Sequence, residues 1–188
     1  MDTVDEIIKI KQILINSCYS TNKTEIKRCG CTDVKISSVD IEECIDFMTY
    51  DSNSDAIGCY VIKTTLSDLF TISPKSFCGN YNYLVITQDM WKAIKEDKSY
   101  FDNLIPDFVG IVICNVDNST TFCLRYTKRQ SLSAYNHSAL KDSLIYALFS
   151  KWQTAEKKYD ISLHMNKNSM LTTEDLDKTI SHMINSDV

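Results

Sequence analysis

Glycine and proline are scarce: four glycines and two prolines in 188 residues, scattered as Gly30, Gly58, Gly79, Gly110, Pro74 and Pro106. That scarcity excludes a flexible or polyproline linker, and with no repeat or low-complexity run it predicts a single domain over residues 1–188. No apolar run approaches the roughly 18 residues of a membrane-spanning helix, so no membrane partner is expected. Neither G-x-x-x-x-G-K-[ST] nor G-x-G-x-x-G occurs, which removes the usual nucleotide-phosphate cradles, and no G-x-S-x-G elbow supports a serine nucleophile. Basic charge is also in deficit. Twenty Lys and Arg against 25 Asp and Glu give a formal charge of -5, which argues against strong non-specific DNA affinity, because counterion release needs clustered cations. The clearest basic cluster is Arg125, Lys128 and Arg129, readable either as phosphate contacts or as a solvated strand end.

Cysteine, by contrast, is plentiful. Eight cysteines would suit a disulfide-stapled secreted miniprotein, but the chain is too long to need staples and its first residues, MDTVDEIIKIKQ, are charged and unlike a signal peptide. Reduced thiols and a cytoplasmic location are therefore expected. Cys29 and Cys31 are close in sequence but lack a second ligand pair at zinc spacing. Cys18, Cys44, Cys59, Cys78, Cys114 and Cys123 mostly lie in apolar runs, where cysteine acts as a small hydrophobe. His137, His164 and His182 show no metal-ligand spacing and read as surface residues.

Periodicity gives the element order. Val4, Ile7, Ile8, Leu14 and Ile15 recur at helical spacing, predicting a helix near residues 3–19, followed by a polar, irregular stretch to about Cys31. Apolar runs from Ile41 to Met48 and from Ala56 to Lys63 flank DSNSD, whose residues favour turns, so they predict a hairpin. A short helix from Thr64, a strand over Tyr81–Thr87 and a helix carrying Met90, Trp91 and Ile94 come next. Two more strands are expected at Phe108–Cys114 and Thr121–Thr127. C-terminal helices over about 137–188 close the chain, one repeating Leu140, Leu144, Leu148 and Trp152, the second starting at Thr172 after a polar loop. The first of these either covers the sheet or forms a homodimer surface. Tyr81, Tyr83, Trp91, Tyr100 and Phe101 are expected to fill the core rather than stack on bases. Strands interleaved with helices indicate an α/β sandwich, three-layer-like, with a mixed central sheet.

One lysine stands out. CYVIKTTLSD reads as a strand turning into a helix, with Lys63 two residues after Val61 and so on the same strand face. Asp46 lies on the preceding hairpin strand. Where an acid on one strand is joined by a second acid, one spacer and a lysine on its neighbour, the oxygen ligands can hold a hard cation beside a phosphate while the lysine positions the water or stabilises developing negative charge. The runs IKTTLSDLF, FCGNYNYLVIT, IPDFVGIVICN and RYTKRQSL, together with Asp46, resemble the PD-(D/E)XK nuclease superfamily, in a phage and mobile-element branch related to the MmcB-like DNA-repair proteins. The resemblance covers about Ile41 to Leu132 and implies a restriction-endonuclease-like core over about residues 35–132.

Carried over residue by residue, the resemblance makes Asp46 the first metal-binding acid, Lys63 the catalytic lysine, and Ser67 and Asp68 the pair that opens the next helix. Val61 stands where the family has its second carboxylate. A β-branched aliphatic group neither ligates a divalent ion nor accepts a proton. The expected protein is therefore a catalytically degenerate nuclease-like product of a phage or mobile element. It would bind DNA, through Lys63, Ser67, Arg125, Lys128 and Arg129, or a host nuclease, or both, as anti-restriction and anti-CRISPR inhibitors do, and would need no cofactor. The alternative is an active Mg²⁺-dependent nuclease with a migrated carboxylate, in which Asp46 acts with Glu43, Asp55 or Asp68.

Overall fold

The computed structural model describes residues 3–20, 28–37, 42–95 and 103–184, and the side chains among these up to residue 159 except those of Ser20, Ser37 and Glu42. Helix α1 (Thr3–Ser20) forms where apolar residues recur at helical spacing; it buries Ile10, Ile13, Leu14 and Cys18 and carries Asp5 and Glu6 in its first turn, where the helix dipole favours negative charge. Strand β1 (Arg28–Ser37) follows, beginning inside the stretch expected to be irregular. Its Thr32, Val34 and Ile36 are buried while Asp33 and Lys35 are exposed, a strand alternation that Asp33 interrupts with a φ of 58°.

The hairpin is present as β2 (Glu42–Asp51) and β3 (Ala56–Lys63), antiparallel from Asp51 opposite Ala56 to Phe47 opposite Tyr60. Asp51 builds its turn by accepting from the amides of Asn53 (3.0 Å) and Ser54 (3.3 Å). Helix α2 (Leu66–Leu69) and a 3₁₀ turn (Pro74–Ser76) lead to β4 (Tyr81–Thr87), which is parallel to β3. Thr87 caps α3 (Gln88–Ile94) by accepting from the Met90 amide at 3.2 Å. Strand β5 (Gly110–Asn115) is parallel to β4, and β6 (Thr120–Arg125) returns antiparallel to it.

These strands make one six-stranded mixed sheet in the order β1-β2-β3-β4-β5-β6. Both parallel crossovers, β3 to β4 and β4 to β5, advance the same way across the sheet, so a constant crossover hand puts their helices on one face. That face buries Val61, Leu84, Ile86, Ile111 and Ile113 under Leu69 of α2 and Met90 and Ile94 of α3. The opposite face buries Phe47, Ile62, Val85 and Cys114 under α1. The chain is thus an α/β sandwich in which helices cover both faces of the sheet. Each fully buried Ile or Leu contributes about 1.5–3 kcal/mol to this arrangement.

Helix α4 (Ala134–Ile184) is continuous over 51 residues, where two helices and a polar loop were expected. Residues 134–184 contain no glycine and no proline, so the polar stretch has nothing that breaks a helix. Ser133 starts it, accepting from the Asn136 amide through Oγ (3.1 Å) and from the His137 amide through its carbonyl (2.9 Å). Two units result: Met1–Ala147, which holds the sheet, and Leu148–Val188, which continues the helix. No helix of the described residues is long and apolar enough to cross a membrane.

Candidate functional site

Strand β3 places Cys59, Val61 and Lys63 on one face. Val61 is buried (5% exposed), paired in register with Leu84 and packed in the cluster of Leu69 and Ile86. At this point β2 leaves β3. The next residue, Asp46, replaces a backbone carbonyl with its side chain: Oδ2 accepts from the Ile62 amide at 2.7 Å. Its Oδ1 lies 3.9 Å from Nζ of Lys11, on α1, and the same ammonium is 2.5 Å from Asp33. Among the described residues the cation at ion-pair distance from Asp46 is therefore Lys11, while Lys63 acts on it as a nearby positive charge. Burial pushes the Asp46 carboxyl above its ordinary range. The Ile62 amide, Lys11 and Lys63 work against that rise, and the neighbouring Asp33 adds to it.

The substitute acids are placed differently. Glu43 Oε2 accepts a long bond from the Ser76 hydroxyl at 3.4 Å, tying β2 to the 3₁₀ turn. Asp68 closes the first turn of α2: its amide donates to Thr65 Oγ1 at 3.2 Å while its carboxylate accepts from the same hydroxyl at 2.7 Å. Ser67 shares that hydroxyl at 3.0 Å. Asp55 precedes Ala56, at the far end of β3 from Lys63, about 25 Å away at the rise of an extended strand. That distance removes Asp55 as a partner of Lys63. Among the described residues no group of three or more His, Cys, Asp or Glu side chains could hold a metal ion.

The expected DNA-contacting residues fall into two separate sets. Register puts Lys63 beside Ile86, near the end of β4, and Arg125 beside Ile111, near the start of β5, so they lie at opposite ends of parallel strands. Ser67 belongs to the Lys63 end. Arg125 is committed to the chain itself, with Nε donating to Val109 O (2.8 Å) and Nη2 to Pro106 O (3.0 Å) and Ile105 O (3.4 Å). Arg125 is thus a staple for the segment entering β5. Lys128 is exposed, and Arg129 Nη2 reaches Ser54 O at 3.5 Å.

Two associations had no sequence signal, since each joins residues distant in the chain. At the hairpin tip, Asp55 adopts a φ of 45° and accepts from the Tyr50 hydroxyl (2.8 Å) and Lys141 Nζ (3.2 Å). The Nε2 of His137 lies 3.0 Å from the Asp55 carbonyl, and its side chain is partly buried at the surface, 18% exposed. Asp55, His137 and Lys141, with Arg129, line an open groove of about 720 Å³. The second association is Cys59 with Cys78, whose sulfurs are 3.8 Å apart. Of the aromatic residues expected in the core, Trp91 packs on it; Tyr83 stacks on Tyr60 at 4.6 Å, and Tyr81 and Tyr83 are half-buried and line a small groove, while Tyr100 and Phe101 lie outside the described residues, as do the side chains of His164 and His182.

No family model and no curated protein matches the chain. Among solved structures it is similar to the SPO1766 protein of unknown function from Silicibacter pomeroyi, with 10% identity and a TM-score of 0.54 over 71% of this chain and 82% of that one. At that identity the likeness is one of fold.

Proposed function

We propose that this chain is a nuclease-like protein of a phage or mobile element that acts by binding, with a host nuclease as its partner and DNA as the second candidate. The observation that carries the reading is Val61, sealed between β-strand neighbours and α2 at the position where the resemblance requires a carboxylate. Asp46 spends one oxygen on the Ile62 amide and lies within ion-pair distance of a lysine from α1, so a divalent ion would have to displace both contacts. A formal charge of -5 suits the basic cleft of a DNA-processing enzyme better than it suits a phosphate backbone, which favours an anti-restriction or anti-CRISPR type of inhibition in the host cytoplasm.

The test pairs Mn²⁺ calorimetry with incubation on plasmid and single-stranded DNA in Mg²⁺ or Mn²⁺. The binding reading expects neither heat of metal binding nor cleavage. Cleavage that EDTA stops and Lys63→Ala abolishes would replace it with an active nuclease whose migrated acid is Glu43 or Asp68.

A further inference from the structure

We propose that Cys59 and Cys78 form an oxidation site, closing to a disulfide when a hydroperoxide reaches the loop that precedes β4. Their sulfurs are already 3.8 Å apart. Cys59 lies on β3 and is fully buried, whereas Cys78 follows the 3₁₀ turn and is partly exposed, so an oxidant meets Cys78 first. The loop is held against β3 by a buried amide network. Asn82 accepts from the Gly79 amide (2.9 Å) and donates to the Gly79 carbonyl (2.8 Å), while Asn80 accepts from the Ile57 amide (3.0 Å). Gly79 allows the approach, since a Cβ there would come within 2.9 Å of both the Cys59 sulfur and the Ile57 carbonyl. A disulfide bond is about 2.05 Å long, so the sulfurs must close by less than about 2 Å.

The chemistry balances with the hydroperoxide as the named oxidant. The Cys78 thiolate attacks the terminal peroxide oxygen, the O–O bond breaks, and water or an alcohol leaves, giving a sulfenic acid at Cys78. The Cys59 sulfur then attacks Cys78, the S–O bond breaks, and water departs as the S–S bond forms. Two thiols give up two electrons and two protons, which the peroxide takes. The electrostatics assign the same roles. The bond from Cys59 holds the Cys78 thiol below its ordinary range, and the same bond together with burial raises Cys59 well above it. Burial pushes Cys18, Cys29, Cys44, Cys114 and Cys123 upward instead.

The full chain, treated with one equivalent of hydrogen peroxide, should lose two hydrogens in mass and yield a peptide linking Cys59 to Cys78. In Cys59→Ser, dimedone should label Cys78. On the reduced wild-type chain, iodoacetamide near neutral pH should modify Cys78 before the more exposed Cys44 and Cys123. Linkage through any other pair, or alkylation of Cys78 no faster than Cys123, would overturn the assignment, and the second result needs no variant.

Discussion

Removing the Asp46 side chain tests whether its carboxylate serves the sheet before it serves any chemistry. In Asp46→Ala the Ile62 amide loses an acceptor at 2.7 Å, at a point where β2 no longer supplies a carbonyl. A buried donor left without a partner costs about 1–3 kcal/mol. The Lys11 contact, at 3.9 Å and partly exposed, adds at most about 1 kcal/mol. Asp46→Asn keeps an oxygen for Ile62 and avoids burying a charge, so it should fall within about 1 kcal/mol of wild type. With a urea slope of about 2 kcal/mol per molar, Asp46→Ala should lower the unfolding midpoint by about 1 M and Asp46→Asn by less than half of that. The sign with pH is also fixed. Because the folded-state pKa is raised above 3.8, the native protein holds the proton more tightly than the unfolded chain. The Asp46 contribution is therefore fully present below pH 3.8 and is lost as pH rises through the folded value, so Asp46→Asn gains on wild type over that rise. Equal losses in the two variants, or no loss in Asp46→Ala, would refute the carbonyl-substitute role.

Val61→Glu places a carboxylate in the core cluster, one residue from the Ile62 amide that Asp46 accepts from; it should cost about 3 kcal/mol in EDTA, and Mn²⁺ should raise its thermal midpoint while leaving wild type unmoved. An equal response of the two proteins to Mn²⁺ would contradict the inferred site geometry. Arg125→Met loses three carbonyl contacts and should destabilise by about 2–3 kcal/mol, whereas Arg129→Ala should stay within about 0.5 kcal/mol, as compared by urea midpoints. The Tyr50 hydroxyl and Lys141 hold the Asp55 carboxyl below its ordinary range, so Tyr50→Phe should move its NMR titration upward toward 3.8. In wild type that contribution is present above pH 3.8 and is lost as pH falls through the folded value.

Much of the fold was legible because its elements are locally specified. The β4 strand falls on Tyr81–Thr87 as its β-formers require, and α1 and the hairpin follow their apolar periods and turn residues. Strand β1 was harder, since RCGCTD mixes small and charged residues, and its alternation is clear only once Val34 and Ile36 face a partner strand. The polar middle of α4 has the composition of a loop, but with no glycine or proline it contains nothing that ends the helix. At the site, the strand alternation of Val61 and Lys63 could be read in advance. The partner of Asp46 could not, since Lys11 comes from a helix 35 positions earlier. The contacts of Arg125 are hidden for a related reason: the carbonyls of Ile105, Pro106 and Val109 that surround it come from a segment 16 to 20 positions earlier.

The sheet's spatial order is also its chain order. Among the described residues every strand therefore hydrogen-bonds only to its neighbours in the chain, and none waits for a distant segment to arrive. A chain of this kind can assemble during synthesis by adding each new strand to an edge already formed, with the entropy of loop closure met in small steps. Strand β6 completes the sheet before any residue of α4 has been made.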